Sequence, residues 1–133
     1  MPSNPFYSST ILVALGGGAG ATLRYWLGLA LQPAQRIGGF PYATFTANVV
    51  GSLLMGVLVG WLARQGGDGA GHPMALLLGV GLLGGFTTFS TFSLDMVRLV
   101  ESGSTGLAVL YASLSLIIGL SALFIGLSLA RPA

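Results

Sequence analysis

An all-α membrane protein of four transmembrane helices is the fold class this sequence predicts, on three observations. Of its 133 residues, 53% are hydrophobic and only 6% charged, against about 25% charged in an ordinary soluble domain. The apolar residues gather into four stretches, about Ile11–Leu31, Phe45–Ala63, Met74–Val100 and Gly106–Leu129, each close to the roughly 20 residues a spanning helix needs. All six prolines stand outside these stretches or at their margins, where they punctuate helices without kinking them. The spans use up most of the chain, so residues 1–133 are expected to form a single transmembrane domain in contact with the lipid bilayer.

The first stretch is too long for the apolar region of a signal peptide and has no basic region before it, so it should stay in the mature protein. Gly16 and Gly20 stand four apart, a small-xxx-small spacing that lets helix backbones approach closely in lipid. The run from Gly16 to Ala21 also fits a loose dinucleotide-binding pattern, but no strand precedes it and the first acid in the chain is Asp68, so that reading fails. A phosphate loop would need a lysine, and the chain has none. Arg24 is the ionisable residue of this span, and its guanidinium keeps its charge at neutral pH. Residues 32–44, rich in Gly and Pro, predict a loop.

The second stretch carries Asn48, whose amide donates two hydrogen bonds; it serves either an ion path or helix–helix glue. Gly56 and Gly60 repeat the small-residue spacing, and residues 66–73 predict the next loop. The third stretch holds the most informative run, GGFTTFSTFS at 84–93. It places two glycines, three phenylalanines and a series of hydroxyls where a membrane helix should be uniformly apolar. Each unsatisfied backbone group in lipid costs roughly several kcal/mol, so such a run is tolerated only where it faces protein, water or an ion. Phe86, Phe89 and Phe92 recur every third residue, a spacing that ordinarily means packing, and Gly81 and Gly85 add a further small-residue pair. Asp95 and Arg98 are expected to neutralise each other as an i, i+3 pair near the interface. After a short link at 101–105, the last stretch sets Tyr111, Ser115 and Gly119 on one face.

Arginines flanking the spans set topology. Arg64 and Arg131 fall on one side and Arg36 and Arg98 on the other. That balance gives no preferred orientation, and insertion both ways up would permit an antiparallel homodimer. The net charge of +2 is too small and scattered for nucleic acid. The absence of cysteine excludes disulfides and thiolate metal sites. No acid–base pair lies within a span, and Ser90 and Ser93 have no nearby base, so no enzyme is expected. A small four-helix cation antiporter would need a buried carboxylate in its first helix, which is missing. What remains is a narrow path of hydroxyls, an amide and aromatic edges, which are electropositive, with a cationic charge near its mouth. That lining suits a small anion, and fluoride most needs hydrogen bonds in exchange for lost water.

Four motifs in succession, GAGATLRY at 18–25, TFTANVVGS at 44–52, GGFTTFSTFS at 84–93 and YASLS at 111–115, resemble the Fluc (CrcB) family of fluoride channels over nearly the whole chain. The resemblance implies an antiparallel, dual-topology homodimer in the cell (inner) membrane, with two pores that conduct fluoride passively and give fluoride resistance. It implies a third helix broken near its middle, where the carbonyls of Gly84 and Thr87 from two subunits hold a central, non-permeating sodium ion. It further implies that Phe89 and Phe92 line the pores with Asn48, Ser90, Thr91, Tyr111 and Ser115, and that Arg24 stands in the vestibule. Some relatives carry a second serine four residues after Ser115, where this chain has Gly119; a water or Ser121 substitutes there, or the polar track is shorter. A proton-coupled fluoride carrier and a non-transporting assembly subunit are the competing readings.

Overall fold

The computed structural model describes residues 5–66 and 69–131. Four helical runs among them are long and apolar enough to cross a membrane: Pro5–Gly38, Tyr42–Arg64, Ala75–Glu101 and Thr105–Ala130. The chain is an all-helical, multi-pass membrane protein.

Helix α1 (Pro5–Gly38) has 34 residues, about 51 Å at 1.5 Å per residue, well beyond the ~30 Å hydrocarbon core of a bilayer. It corrects the expected loop at 32–44, because the helix passes through Pro33 and ends only at Gly38. Pro33 removes one N–H from the ladder, yet the good helix formers around it carry the coil onward. Gly39 stops it: its φ of +71° is open to glycine at little cost, and its N–H closes on the Gln35 carbonyl at 2.8 Å.

After a three-residue turn, α2 (Tyr42–Arg64) returns across the membrane. The next loop ends at His72, whose Nδ1 accepts the Met74 N–H at 3.2 Å and whose carbonyl accepts from Leu76 at 3.1 Å. Pro73 follows in the first helical turn, where its missing N–H is harmless. Helix α3 opens with wide π-type turns over Ala75–Leu83 and finishes in one α turn, Gly84–Phe86. Thr87 (φ −83°, ψ 154°) and Thr88 (φ −155°, ψ 125°) are extended, and α4 (Phe89–Glu101) begins with Thr88 as its cap. Helix α5 (Thr105–Ala130) completes the bundle.

Glycines decide which helices touch. A Cβ on Gly16 or Gly20 would run into the backbone of α3 at Leu77 or Leu82, and one on Gly85 would meet the Gly17 carbonyl. In the same way Gly56 admits the Leu123 carbonyl of α5, and Gly126 admits the Leu53 carbonyl of α2. The small-residue pairs read from the sequence therefore close contacts within the chain, α1 against α3 and α2 against α5. Each pair runs in the same sense, since residue numbers rise together along the seam. One buried cluster gathers Phe40, Leu99, Ala108 and Tyr111, and another Leu58, Leu62 and Leu83.

Candidate functional site

The backbone around Thr87 and Thr88 is where polar groups converge. Thr87 ends α3 with its N–H and its hydroxyl both on the Leu83 carbonyl, at 3.0 and 2.8 Å. Gly51 on α2 makes room for the Thr87 methyl, because any Cβ there would occupy its place. The Asn48 amide brackets the Thr88 peptide, Oδ1 accepting its N–H at 2.8 Å and Nδ2 donating to its carbonyl at 3.1 Å. The Thr88 hydroxyl oxygen accepts the Thr91 N–H at 3.2 Å and lies 3.2 Å from the hydroxyls of both Ser90 and Thr91. That side chain caps α4 and ties three hydroxyls into one cluster.

A cavity of about 470 Å³ opens beside this turn, lined by Asn48, Gly51, Ser52, Gly84, Thr87, Thr88 and Phe89. Six of the candidate residues meet in or beside it: Asn48, Gly84, Thr87 and Phe89 line it, and Ser90 and Thr91 touch Thr88 at its edge. The Gly85 carbonyl, freed by the end of α3, accepts from Arg24 Nε at 3.2 Å. Arg24 is thus fastened to the turn by one nitrogen and half-buried.

The remaining candidates form a second group. Phe89 is 80% exposed and tilts against Phe92 with ring centroids 5.8 Å apart; Phe92 meets Tyr111 at 5.0 Å, and Tyr111 meets Phe40 edge-on at 5.4 Å. Tyr111 is fully buried and donates its hydroxyl to Asp95 Oδ2 at 3.3 Å. One expectation is corrected here: Asp95 is buried and faces the Tyr111 hydroxyl rather than Arg98. The reason is helical phase: Asp95 shares the inward face of α4 with Leu99, while Arg98 is exposed. Ser115 presents a buried Oγ with no hydrogen-bond partner among the described residues.

Sequence reasoning passed over Thr88, Ser52 and the Gly85 carbonyl. Thr88 is the hinge of the site, and a threonine before a serine- and threonine-rich helical start is a readable cap signal. Ser52 lies one turn beyond Asn48 on α2, and that i, i+4 spacing was available to find it. No motif marks Gly85, since its role belongs to the backbone. Among the described residues no cluster of His, Cys, Asp and Glu offers side-chain metal ligands.

Comparison with known proteins bears on this geometry. The family described as CrcB-like protein, Camphor Resistance (CrcB), matches residues 11–127. A protein of Novosphingobium aromaticivorans named fluoride-specific ion channel FluC is 56% identical over 125 residues, covering 93% of this chain and 97% of its own length. Proteins of the same name from Hyphomonas neptunium and Caulobacter vibrioides are 50% and 45% identical, each over 91% of this chain and 94% of their own.

Proposed function

The chain belongs to the CrcB family, and from that premise we propose that it is a fluoride-selective channel, which exports cytoplasmic fluoride passively down its electrochemical gradient and so gives fluoride resistance. One observation carries the proposal: a polar cavity walled by an amide, hydroxyls and a phenylalanine, with no carboxylate in its lining, in a chain whose relatives bear that name. Hydrogen fluoride, a weak acid, crosses the membrane neutral and dissociates inside, and the trapped anion then needs a path out. Leaving water costs fluoride its hydration, which a pore must replace with donors. Asn48 keeps one N–H after serving the Thr88 carbonyl. Ser90, Thr91 and Ser115 add hydroxyls, the Tyr111 hydroxyl being already donated to Asp95, and Phe89 and Phe92 present electropositive ring edges. Arg24 raises anion occupancy in the vestibule with the part of its guanidinium that Gly85 leaves free.

The proposed assembly is an antiparallel, dual-topology homodimer in the inner membrane, with a third helix broken at its middle and two pores. Its central sodium ion suits the donor set. The carbonyls of Gly84 and Thr87 have no hydrogen-bond donor among the described residues. They also sit at the C-terminal, electronegative end of α3. When bound, the ion supplies positive charge that neutralises these carbonyl dipoles. One chain offers two such oxygens, too few to enclose a cation, and an antiparallel second copy would bring the number to four.

Fluoride efflux from liposomes containing the purified protein tests the proposal; absence of flux, or chloride flux of equal size, would overturn it. Phe89→Ile or Phe92→Ile should lower fluoride throughput at least tenfold in order of magnitude, about 1.4 kcal/mol of barrier, while the dimer persists. Unchanged rates would assign the rings to packing.

Burial of Asp95 against Tyr111 favours a second reading, a proton-coupled fluoride carrier, since ionisable groups at membrane depth commonly serve proton relays. A pH gradient alone would then drive fluoride uphill, and Asp95→Asn would abolish that coupling. A passive channel shows no uphill movement in either protein. The glycine faces that a non-transporting assembly subunit would use are occupied within the chain.

A further inference from the structure

One polar side chain of the cavity has no part in the site as proposed. Ser52 lines the cavity beside Asn48, Thr87 and Thr88, and it stands one turn from Asn48 on the same face of α2. Across the seam lies Gly119 of α5, where an added Cβ would have the Ser52 Oγ as its nearest neighbour, at 3.9 Å. Because α2 and α5 run in the same sense, one turn back on each helix sets Ser115 level with Asn48. The seam therefore has two polar levels, Asn48 with Ser115 and Ser52 with the open space at Gly119.

The hydroxyls at these levels are uncommitted. Thr10, Thr22 and Ser93 each donate to a carbonyl four residues back on their own helices, at 2.7, 2.7 and 3.0 Å, as helical hydroxyls in apolar surroundings commonly do. Ser52 has no hydrogen bond among the described residues, and the Ser115 Oγ is buried without a partner. An unmade hydrogen bond of this kind calls for a ligand or a water. Both side chains are free to donate, and no acid lines the cavity that Ser52 borders.

We infer that Ser52 is an anion-binding residue whose hydroxyl donates to fluoride on the α2–α5 seam, one turn beyond Asn48, an assignment that rests on the fluoride-channel reading. In this chain the donor at that level comes from α2, and glycine at 119 leaves the space in which the anion meets it. The hydroxyl and the spare Asn48 N–H, one turn apart, would hand the ion along the seam.

Fluoride efflux from liposomes, read with a fluoride electrode for the full chain, tests the inference through relocation of the hydroxyl. Ser52→Ala should slow efflux by about tenfold, the effect of losing one hydrogen bond to a charged acceptor. Ser52→Thr should retain most of the rate. The double variant Ser52→Ala with Gly119→Ser should recover it, because the space at 119 accepts a side chain once the Ser52 Oγ is gone. Should Ser52→Ala fail to fold, Ser52→Cys, close in shape with a much weaker donor, replaces it. Efflux at the parent rate in the hydroxyl-free variant overturns the inference. So does a loss that neither Ser52→Thr nor the Gly119→Ser partner repairs, which would assign Ser52 to packing. So does a loss of sodium-dependent dimer stability in place of flux. If the parent protein itself moves no fluoride, the channel reading fails first, and the Ser52 assignment fails with it.

Discussion

At Thr88 both backbone polar groups are taken by one side chain, the N–H by Asn48 Oδ1 at 2.8 Å and the carbonyl by Nδ2 at 3.1 Å. The amide's orientation follows from chemistry, since a backbone N–H can only donate and must face the oxygen. Asn48→Ala leaves both groups unpaired at membrane depth. It should destabilise the fold by about 2–6 kcal/mol, at 1–3 kcal/mol per unsatisfied group, read as a lower midpoint of unfolding in detergent. Asn48→Asp keeps the acceptor but turns a carboxylate oxygen toward the Thr88 carbonyl, so it should be no more stable than the alanine variant, although it is nearly isosteric. A result in which Asn48→Ala melts like the parent would confine the residue to the ion path. The sequence made Asn48 conspicuous as an amide in an apolar span, but its partner lies 40 residues away, and no spacing rule reaches that far. Arg24 and Gly85 are separated still more, by 61 residues. Local chemistry was legible at this scale, and long-range pairing was not.

Helix against helix, the glycines sort by what a methyl group would meet. At Gly20 an added Cβ would run into the Leu82 carbonyl, whereas at Gly18 it would find nothing within 4 Å. Backbone cannot rotate aside as a side chain can, so Gly20→Ala must push α1 off α3 and should cost about 1–3 kcal/mol, the usual range for overpacking. Gly18→Ala should be neutral or stabilising by up to about 1 kcal/mol, because alanine is the better helix former. Equal effects at the two positions would disprove the close approach of α1 and α3. The His72 ring acts at the other end of α3, accepting the Met74 N–H. His72→Ala should cost about 1 kcal/mol as a lost cap, seen as faster amide exchange in the first turn. The small-residue spacing was visible in the sequence; its partners were not, because four-residue periodicity marks a face without naming what covers it. The end of α1 is hidden in the sequence for a related reason. Gly and Pro between 32 and 44 read as a loop, yet only Gly39 has the positive φ that ends a helix.

Taken whole, the molecule leaves much of its apolar surface uncovered, as lipid permits, and Phe89 stands 80% exposed on the rim of the polar cavity. Lipid explains exposed Leu and Ile on the outer faces of the helices. It does not explain an open cavity whose wall includes Asn48, Thr87 and Thr88, because hydrocarbon offers those groups nothing. A second copy facing the cavity would supply what one chain lacks: further carbonyls around a cation and a wall for the anion path. The balance of Arg64 and Arg131 against Arg36 and Arg98 leaves inverted insertion open, so the proposed partner is antiparallel. If sodium binds only the paired form, it adds stability to the dimer by mass action, about 2.7 kcal/mol when the ion is at a hundred times its dissociation constant. Replacing sodium with N-methylglucamine during purification should therefore raise the dimer's dissociation constant by about a hundredfold, followed by size-exclusion chromatography across protein concentrations. Restoring sodium should reverse the shift, and Thr87→Ala should leave it intact, since the proposed ligand is the backbone carbonyl and not the hydroxyl. A dimer indifferent to sodium would remove the central ion from the assembly while leaving the anion path to stand on its own tests.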